Sequence, residues 1–419
     1  MRIRIRKFSI TNYRSCLNTS ISPHPDLSAI IGKNASGKSS ILNGILMLKS
    51  LFAHGKRPPH TDRVSARSKI NTELKCGKHT VLLRADVFYS ATEASRDEVF
   101  GGNISWNFRE MTGQDEWFSV PYGIELDMFA NATGMRDFGR FPTPQAREFV
   151  RHFDFPKRLQ RSLGRLIEFS YPLYRFFTGI SYYSASQFTD PTKCPVSIEV
   201  EDERVHRRSL RAADHTKVLH DLYGVCSSKS RTREYAEFMS IVGPSGLKLV
   251  DAVSFRELEL PQSRYEVRTG GKVVREKSQR RLLIPYFQVD GNRLSPNQLS
   301  EGTFKTIALL FYLVIDKGSL LLIEEPEVCV HHGLLKSILE LVKSYSTSKQ
   351  IIISTHSDYV LDMLAPENVF LVYKEKRLGT KVKPVTRALS TRDFNALKTY
   401  LAETGNLGEF WRHGGLAHD

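Results

Sequence analysis

Residues Gly32-Lys33-Asn34-Ala35-Ser36-Gly37-Lys38-Ser39 match the pattern GxxxxGK[ST] in full. Glycines in such a loop let backbone N–H groups wrap a phosphate, and a helix opening at its end aims its positive dipole at the same anion. Lys38 is suited to neutralise the β- and γ-phosphates of ATP, the Ser39 hydroxyl is suited to ligate Mg²⁺, and Ser40 continues the binding run. A second constellation is the apolar run Leu320-Leu321-Leu322-Ile323 ending in Glu324-Glu325-Pro326-Glu327. Carboxylates at the C-terminal end of a buried parallel strand sit where open α/β sheets bind ligands. Glu324 would hold the Mg²⁺ shell through water, and Glu325 would orient or deprotonate an attacking water.

Two further stretches complete the set. Leu299-Ser300-Glu301-Gly302-Thr303 opens a helical pattern. The Ser300 hydroxyl and Gly302 N–H could clamp a γ-phosphate; equally, Ser300 could be an N-cap with Thr303 at N3. Ile351-Ile352-Ile353-Ser354-Thr355-His356-Ser357 is an apolar strand ending in a polar turn. A neutral imidazole at His356 can donate or accept, which suits sensing a phosphate or the attacking water; a structural histidine is the alternative. Two helix N-termini of one chain cannot close on a single triphosphate from opposite sides. The arrangement therefore predicts a two-fold, head-to-tail dimer with two composite sites.

The elements that must position these residues are legible in the hydrophobic pattern. Residues 2–10 alternate basic and apolar as a half-exposed strand, and Leu27 to Ile31 is a short apolar strand running into the glycine loop. From Lys38 the spacing of Ile41, Leu42, Ile45, Leu46, Leu48 and Leu51 is helical. His79 to Tyr89, Leu282 to Val289, Leu320 to Ile323, Ile351 to Ser354 and Val369 to Tyr373 read as strands, with helices over Ser300 to Ile315 and Leu334 to Tyr345. Buried strands separated by helices imply a mostly parallel sheet flanked by helices, an α/β fold. Between these halves, Ser90 to Arg281 is proline-rich, with short aromatic strands such as Ile104 to Phe108 and no sustained heptads. The sequence thus predicts a head split into 1–90 and 282–419 around a mixed α+β lid over 91–281. Basic segments in that lid are Lys157 to Arg165, Arg204 to Arg211 and Arg275 to Arg281.

A content of 41% hydrophobic and 25% charged residues is that of a globular protein. No apolar run reaches 18 residues and no signal-peptide h-region follows the basic start, so no membrane partner is expected. Cys16, Cys76, Cys194, Cys226 and Cys329 are odd in number and share no CxxC spacing, which fits a reducing cytoplasm. The net charge of +15 suggests DNA or another polyanion as partner, against the plainer reading of a solvated basic surface. Arg14 could meet such a phosphate or stay an ordinary surface arginine.

The string Ile323-Glu324-Glu325-Pro326-Glu327-Val328-Cys329-Val330-His331 resembles the EEPE-x-x-x-H string of the OLD (overcoming lysogenisation defect) family, within the ABC/SMC/RecF class. The resemblance spans roughly 1–90 and 282–419, and Gly405-Asn406-Leu407-Gly408-Glu409-Phe410-Trp411 resembles the tail of stand-alone ATPases of this group. It implies an ABC/SMC-like P-loop ATPase head with an added antiparallel β subdomain, and ATP-dependent engagement of two heads. It also implies signature-loop roles for Ser300 and Gly302 and a switch role for His356. His332 stands where the family usually has proline, and Gln187 is the one candidate for a Q-loop glutamine. Only 63 residues follow His356, too few for the Toprim nuclease of full-length OLD proteins. The expected role is a sensor or scaffold controlling a separate nuclease or toxin, as in the PARIS and Septu anti-phage systems. The alternatives are a RecF-like DNA-binding ATPase in repair, or a structural or transport-coupling subunit.

Overall fold

The computed structural model describes residues 2–52, 67–90, 99–109, 117–121, 172–188, 190, 193–200, 215–268, 272–328, 330–403 and 405–413. The first strands are β1 (Ile3–Tyr13), β2 (Cys16–Ile21), β3 (Leu27–Ile31), β4 (Ser68–Cys76), β5 (His79–Ser90), β6 (Val99–Arg109), β7 (Trp117–Pro121) and β8 (Ile180–Ser184). They are followed by β9 (Ile198–Val200), β10 (Ala252–Arg268), β11 (Lys272–Val289), β12 (Asn292–Leu294), β13 (Leu320–Glu324), β14 (Gln350–Thr355), β15 (Val369–Glu375) and β16 (Gly379–Pro384). The helices are α1 (Lys38–Phe52), α2 (His215–Cys226), α3 (Thr232–Val242), α4 (Glu301–Val314), α5 (His332–Ser346), α6 (Asp358–Asp362), α7 (Val385–Ala388), α8 (Thr391–Glu403) and α9 (Leu407–Arg412). The chain divides into two compact units, one of Met1–Tyr182, Gly318–Glu325 and Lys343–Asp419, the other of Tyr183–Lys317 and Pro326–Val342.

The first unit is built on two sheets. One runs β16-β15-β3-β14-β13-β8. Within it β15, β3, β14 and β13 are parallel neighbours, and β16 is antiparallel to β15. Every residue of β3 and β14 is buried, as continuous apolar strands covered on both faces must be. The other sheet, β2-β1-β4-β5-β6-β7, is antiparallel throughout. Its inward residues Phe8, Ile10, Ile70, Leu74, Val81 and Leu83 share a core with Ile41, Leu42 and Ile45 of α1 and with Ile30, Leu322 and Ile352 of the parallel sheet. This is an α/β fold: a mostly parallel sheet with a separate antiparallel one.

A register shift between Ile5 and Lys7 breaks the β1–β4 ladder. Gln350, fully buried at the start of β14, serves the backbone there. Its Oε1 accepts from Ile5 N–H at 2.8 Å, and its Nε2 donates to Ile5 C=O at 2.9 Å and His24 C=O at 3.0 Å. One amide side chain thus links the two sheets while satisfying buried polar groups that would otherwise be costly.

In the second unit the long antiparallel hairpin β10–β11 pairs with β12 and β9. Helix α4 is buried from Phe304 to Leu313, on all its faces, as a central helix should be. Phe304 packs at 5.0 Å against His215 of α2, and Phe311 at 6.2 Å against Phe238 of α3. Among the described residues no helix is long and apolar enough to cross a membrane.

Some boundaries differ from those read in the sequence. Strands β6 and β7 fall in the expected lid, yet they extend the antiparallel sheet begun by β1, because each pairs with the strand before it in sequence and so continues the meander of β4 and β5. Residue 281, the expected end of the lid, lies inside β11, whose second half is the strand predicted from Leu282. The basic segments Lys157 to Arg165 and Arg204 to Arg211 lie outside the described residues.

Candidate nucleotide-binding site

Three of the sequence motifs leave the parallel sheet at one edge. The glycine loop follows β3, Glu324 ends β13, and His356 follows β14. Register fixes the alignment: Glu324 pairs with Ser354, and Thr355 with Ile31. The carboxyl ends of β3, β14 and β13 therefore lie side by side, which is where a ligand binds in an open α/β sheet.

The loop itself is tight. Ala35 and Gly37 both take positive φ, 61° and 109°. A Cβ at Gly37 would lie 2.1 Å from Thr380 Oγ1, so only glycine fits. Ile41 N–H bonds Gly37 C=O at 3.1 Å, opening α1 directly behind the loop. Lys38 is buried, and its ammonium lies across the loop, donating to Gly32 C=O at 2.8 Å and Lys33 C=O at 3.3 Å. Ser39, in the first turn of α1, is exposed, and Lys33, Asn34 and Ala35 are exposed at the loop's outer side.

A brace that no sequence motif marks lies behind this loop. Thr380 of β16 is fully buried, with its hydroxyl 2.9 Å from Ser36 C=O and 2.9 Å from Ser15 Oγ. Thr380 N–H donates to Ser15 C=O at 2.8 Å, and Ser15 Oγ reaches Ser40 Oγ at 3.3 Å. Ser15 lies in the β1–β2 turn, where Asn12 and Arg14 adopt positive φ. The Arg14 guanidinium stacks 5.5 Å from the centroid of the Tyr13 ring.

The two carboxylates at the end of β13 point to different partners. Glu324 is half-buried and accepts a short hydrogen bond from the Tyr182 hydroxyl of β8. Glu325 leaves the strand with φ of 50°, a left-handed conformation that costs a non-glycine residue about 1–3 kcal/mol and clusters at functional sites. Its N–H still donates to Ser354 C=O at 2.9 Å, so the turn is pinned to β14. The turn brings Glu325 Oε1 to 3.6 Å from His356 Nδ1, near enough for a charge interaction if the ring is protonated but too long for a direct hydrogen bond. His356 is half exposed, so its ring is open to solvent.

Directly after His356 comes α6, clasped by the C-terminal helix α9. Gly408 N–H donates to Asp362 Oδ1 at 2.7 Å, and Arg412 Nε to Asp358 Oδ2 at 2.8 Å. Burial, with Asp358 nearby, pushes the Asp362 carboxyl above its usual range despite the Gly408 bond. The Gly405-to-Trp411 string thus anchors the chain next to the histidine.

Ser300 and Gly302 belong to the second unit. Ser300 is the N-cap of α4, accepting from Thr303 N–H at 3.1 Å and lying 2.7 Å from Thr303 Oγ1. This is the capping geometry weighed from the sequence, and the helix N-terminus it organises is still an anion-facing end. Behind it, Glu301 pairs at 2.5 Å with Lys305, a fully buried lysine, and Tyr183 OH donates to Lys305 C=O at 3.2 Å. Gln187 sits in a short turn, Ala185–Phe188, that follows β8. His332 is the first residue of α5, the position where a proline is favoured, so a helix starts there without one.

The residues suit a magnesium triphosphate. Ser36 Oγ is buried in the loop without a hydrogen-bond partner, a hydroxyl that a phosphate oxygen could satisfy. Lys38 supplies a cation within the loop, Ser39 an exposed hydroxyl at the start of α1, and Glu324 a carboxylate at the same edge of the sheet. Bound Mg²⁺ would supply charge neutralisation at the phosphate oxygens, with few protein ligands of its own. Glu325 has the type and position to hold a proton from water, and His356 to sense what lies beside it.

Two family models match the chain. One, described as "AAA ATPase domain", covers residues 3–88; the other, described as "AAA domain, putative AbiEii toxin, Type IV TA system", covers residues 180–362. These matches support an ATPase domain of the AAA class. No curated protein sequence matches the chain. Similar solved structures include an Smc head bound to the C-terminal winged-helix domain of ScpA, at 15% identity and TM-score 0.41, covering 91% of this chain and 97% of that one. An Smc head with an extended coiled coil from Pyrococcus furiosus has 14% identity and TM-score 0.43, covering 96% and 100%. The SMC head domain of Thermotoga maritima has 12% identity and TM-score 0.36, covering 91% and 98%.

Proposed function

We propose that this protein is an ABC-type ATPase of the OLD-like group that binds and hydrolyses ATP with Mg²⁺ at composite sites between two head-to-tail copies. The observation that carries the reading is the common edge of β3, β14 and β13, from which the glycine loop, His356 and the Glu324–Glu325 pair all emerge. Lys38, Ser39 and Glu324 hold the metal–triphosphate, and Glu325 serves as base for water. Ser300 and Gly302 of the partner copy close the γ-phosphate. ATP can drive engagement only by binding the closed pair more tightly than the open one.

In this reading the engaged assembly is a sensor or scaffold that restrains a separate nuclease or toxin in anti-phage defence. Supporting it are the EEPE-type string, the docked C-terminal tail and a family model whose description names a type IV toxin–antitoxin system. Free thiols at Cys16, Cys76, Cys194 and Cys226 accord with a cytoplasmic setting. The test is steady-state ATP turnover together with co-purification of a neighbouring effector. Lys38→Ala should abolish nucleotide binding; wild-type affinity in that variant refutes the phosphate-loop role.

A second reading, a RecF-like DNA-binding ATPase, is favoured by the β15–β16 hairpin. Lys374, Lys376, Arg377 and Lys383 are exposed there, with Lys383 stacked 5.3 Å over the Tyr373 ring. Cations beside an aromatic suit a nucleic-acid backbone. Duplex binding with a steep salt slope and no protein partner would select this reading.

A further inference from the structure

We infer that Tyr182 is a positioning residue for the metal-shell carboxylate Glu324. The inference rests on the ATP-site reading above and adds to it a residue that no motif contains. Tyr182 lies on β8, next to β13 in the sheet, and is 8% exposed. Its ring joins the core of the first unit, while its hydroxyl donates to Glu324 Oε2. Glu324 is the last residue of β13 still in register, opposite Ser354; one residue later Glu325 turns left-handed. A glutamate at the end of a strand, half-buried and next to such a turn, has several rotamers open to it, and ordering it costs up to about 2 kcal/mol. A rigid, core-anchored phenol removes that freedom before any ligand arrives.

The choice of tyrosine has a chemical reason. A phenol donates one hydrogen bond without carrying a positive charge, so Glu324 keeps its full negative charge for a divalent cation. Lysine or arginine at 182 would fix the carboxylate equally well but neutralise it. Holding Oε2 leaves Oε1 free for the metal's water shell, and the two neighbouring acids are separately tethered, Glu324 by Tyr182 and Glu325 by its backbone bond to Ser354. Groups that orient a metal's carboxylate commonly alter affinity about 10- to 100-fold when removed.

The test is Tyr182→Phe, which deletes the hydroxyl and keeps the buried ring. A fluorescent ATP analogue is titrated in EDTA and across a Mg²⁺ series, with kcat and KM measured in parallel and melting temperature as the folding control. We expect unchanged metal-free nucleotide binding and a half-saturating Mg²⁺ concentration raised about tenfold. Because Tyr182 acts through Glu324, Tyr182→Phe combined with Glu324→Gln should be no worse than Glu324→Gln alone. Wild-type Mg²⁺ dependence in Tyr182→Phe, or additive losses in the double variant, overturns the inference. If Glu324→Gln shifts the Mg²⁺ dependence and Tyr182→Phe does not, only the role of Tyr182 fails. If neither shifts it and Lys38→Ala still binds nucleotide, the ATP-site reading fails with it. Should the phenylalanine variant misfold, Tyr182→Met in the same titration makes the same distinction.

Discussion

Replacing Thr380 with valine tests whether the phosphate loop is shaped by β16. The swap keeps the shape of a fully buried side chain and removes one hydroxyl. Two contacts go with it, at 2.9 Å to Ser36 C=O and 2.9 Å to Ser15 Oγ. A typical hydrogen bond contributes about 1 kcal/mol net, and a buried group left unpaired costs about 1–3 kcal/mol. Ser15 Oγ keeps its existing bond to Ser40 Oγ at 3.3 Å, so the Ser36 carbonyl bears most of the loss. The sum is about 2 kcal/mol, which for a unit of this size lowers the melting temperature by roughly 4–8 °C. Relaxing the loop should also weaken ATP binding about fivefold, or roughly 1 kcal/mol. Thermal denaturation and a fluorescent-nucleotide titration read the two effects separately. Wild-type values in both would refute the brace; a lower melting temperature with unchanged affinity would confine it to the fold.

Ser300→Arg should abolish ATP hydrolysis while leaving nucleotide binding to the phosphate loop intact, checked by turnover and titration; retained turnover rules out a signature role. Gln350→Leu leaves Ile5 N–H and C=O without partners and should cost about 2–5 kcal/mol in denaturant unfolding. Burial pushes the Cys76 and Cys226 thiols up to about 12, so at pH 7 their thiolate fraction is on the order of 10⁻⁵. Neither should react with iodoacetamide in the native protein, both should in urea, and rapid native labelling would contradict their packing. Reversing Lys376 and Arg377 to glutamate should flatten the salt slope of any duplex binding; an unchanged slope returns that hairpin to solvated surface.

The elements that carry the motifs were legible because each motif is local: a glycine loop between a strand and a helix, acids ending an apolar run, a histidine ending another. Helix α4 begins at Glu301 with Ser300 as its cap, as the Ser-x-x-Thr spacing predicts. What stayed hidden is contact between elements far apart in the chain. Tyr182 meets Glu324 across 142 positions, and Thr380 meets Ser36 across 344. Neither residue has a distinctive neighbourhood in the sequence, since an aromatic on a strand or a threonine in a hairpin is ordinary there. The left-handed turn at Glu325 is equally silent, because glutamate seldom takes that conformation and the bond from its N–H to Ser354 C=O comes from a separate strand. Strands β6 and β7 were hidden for a different reason: they continue the sheet, β6 beside β5 and β7 beside β6, although their composition resembles the segment that follows.

In the proposed composite site, a triphosphate held by one copy is closed by the N-terminus of α4 from another. The most direct measurement is the solution mass of Glu325→Gln by light scattering, with and without ATP and Mg²⁺, alone and combined with Ser300→Arg. The account predicts that the single variant doubles its mass on adding ATP and that the double variant stays unpaired while still binding nucleotide. A mass independent of ATP, or ATP-driven pairing that survives Ser300→Arg, would contradict it.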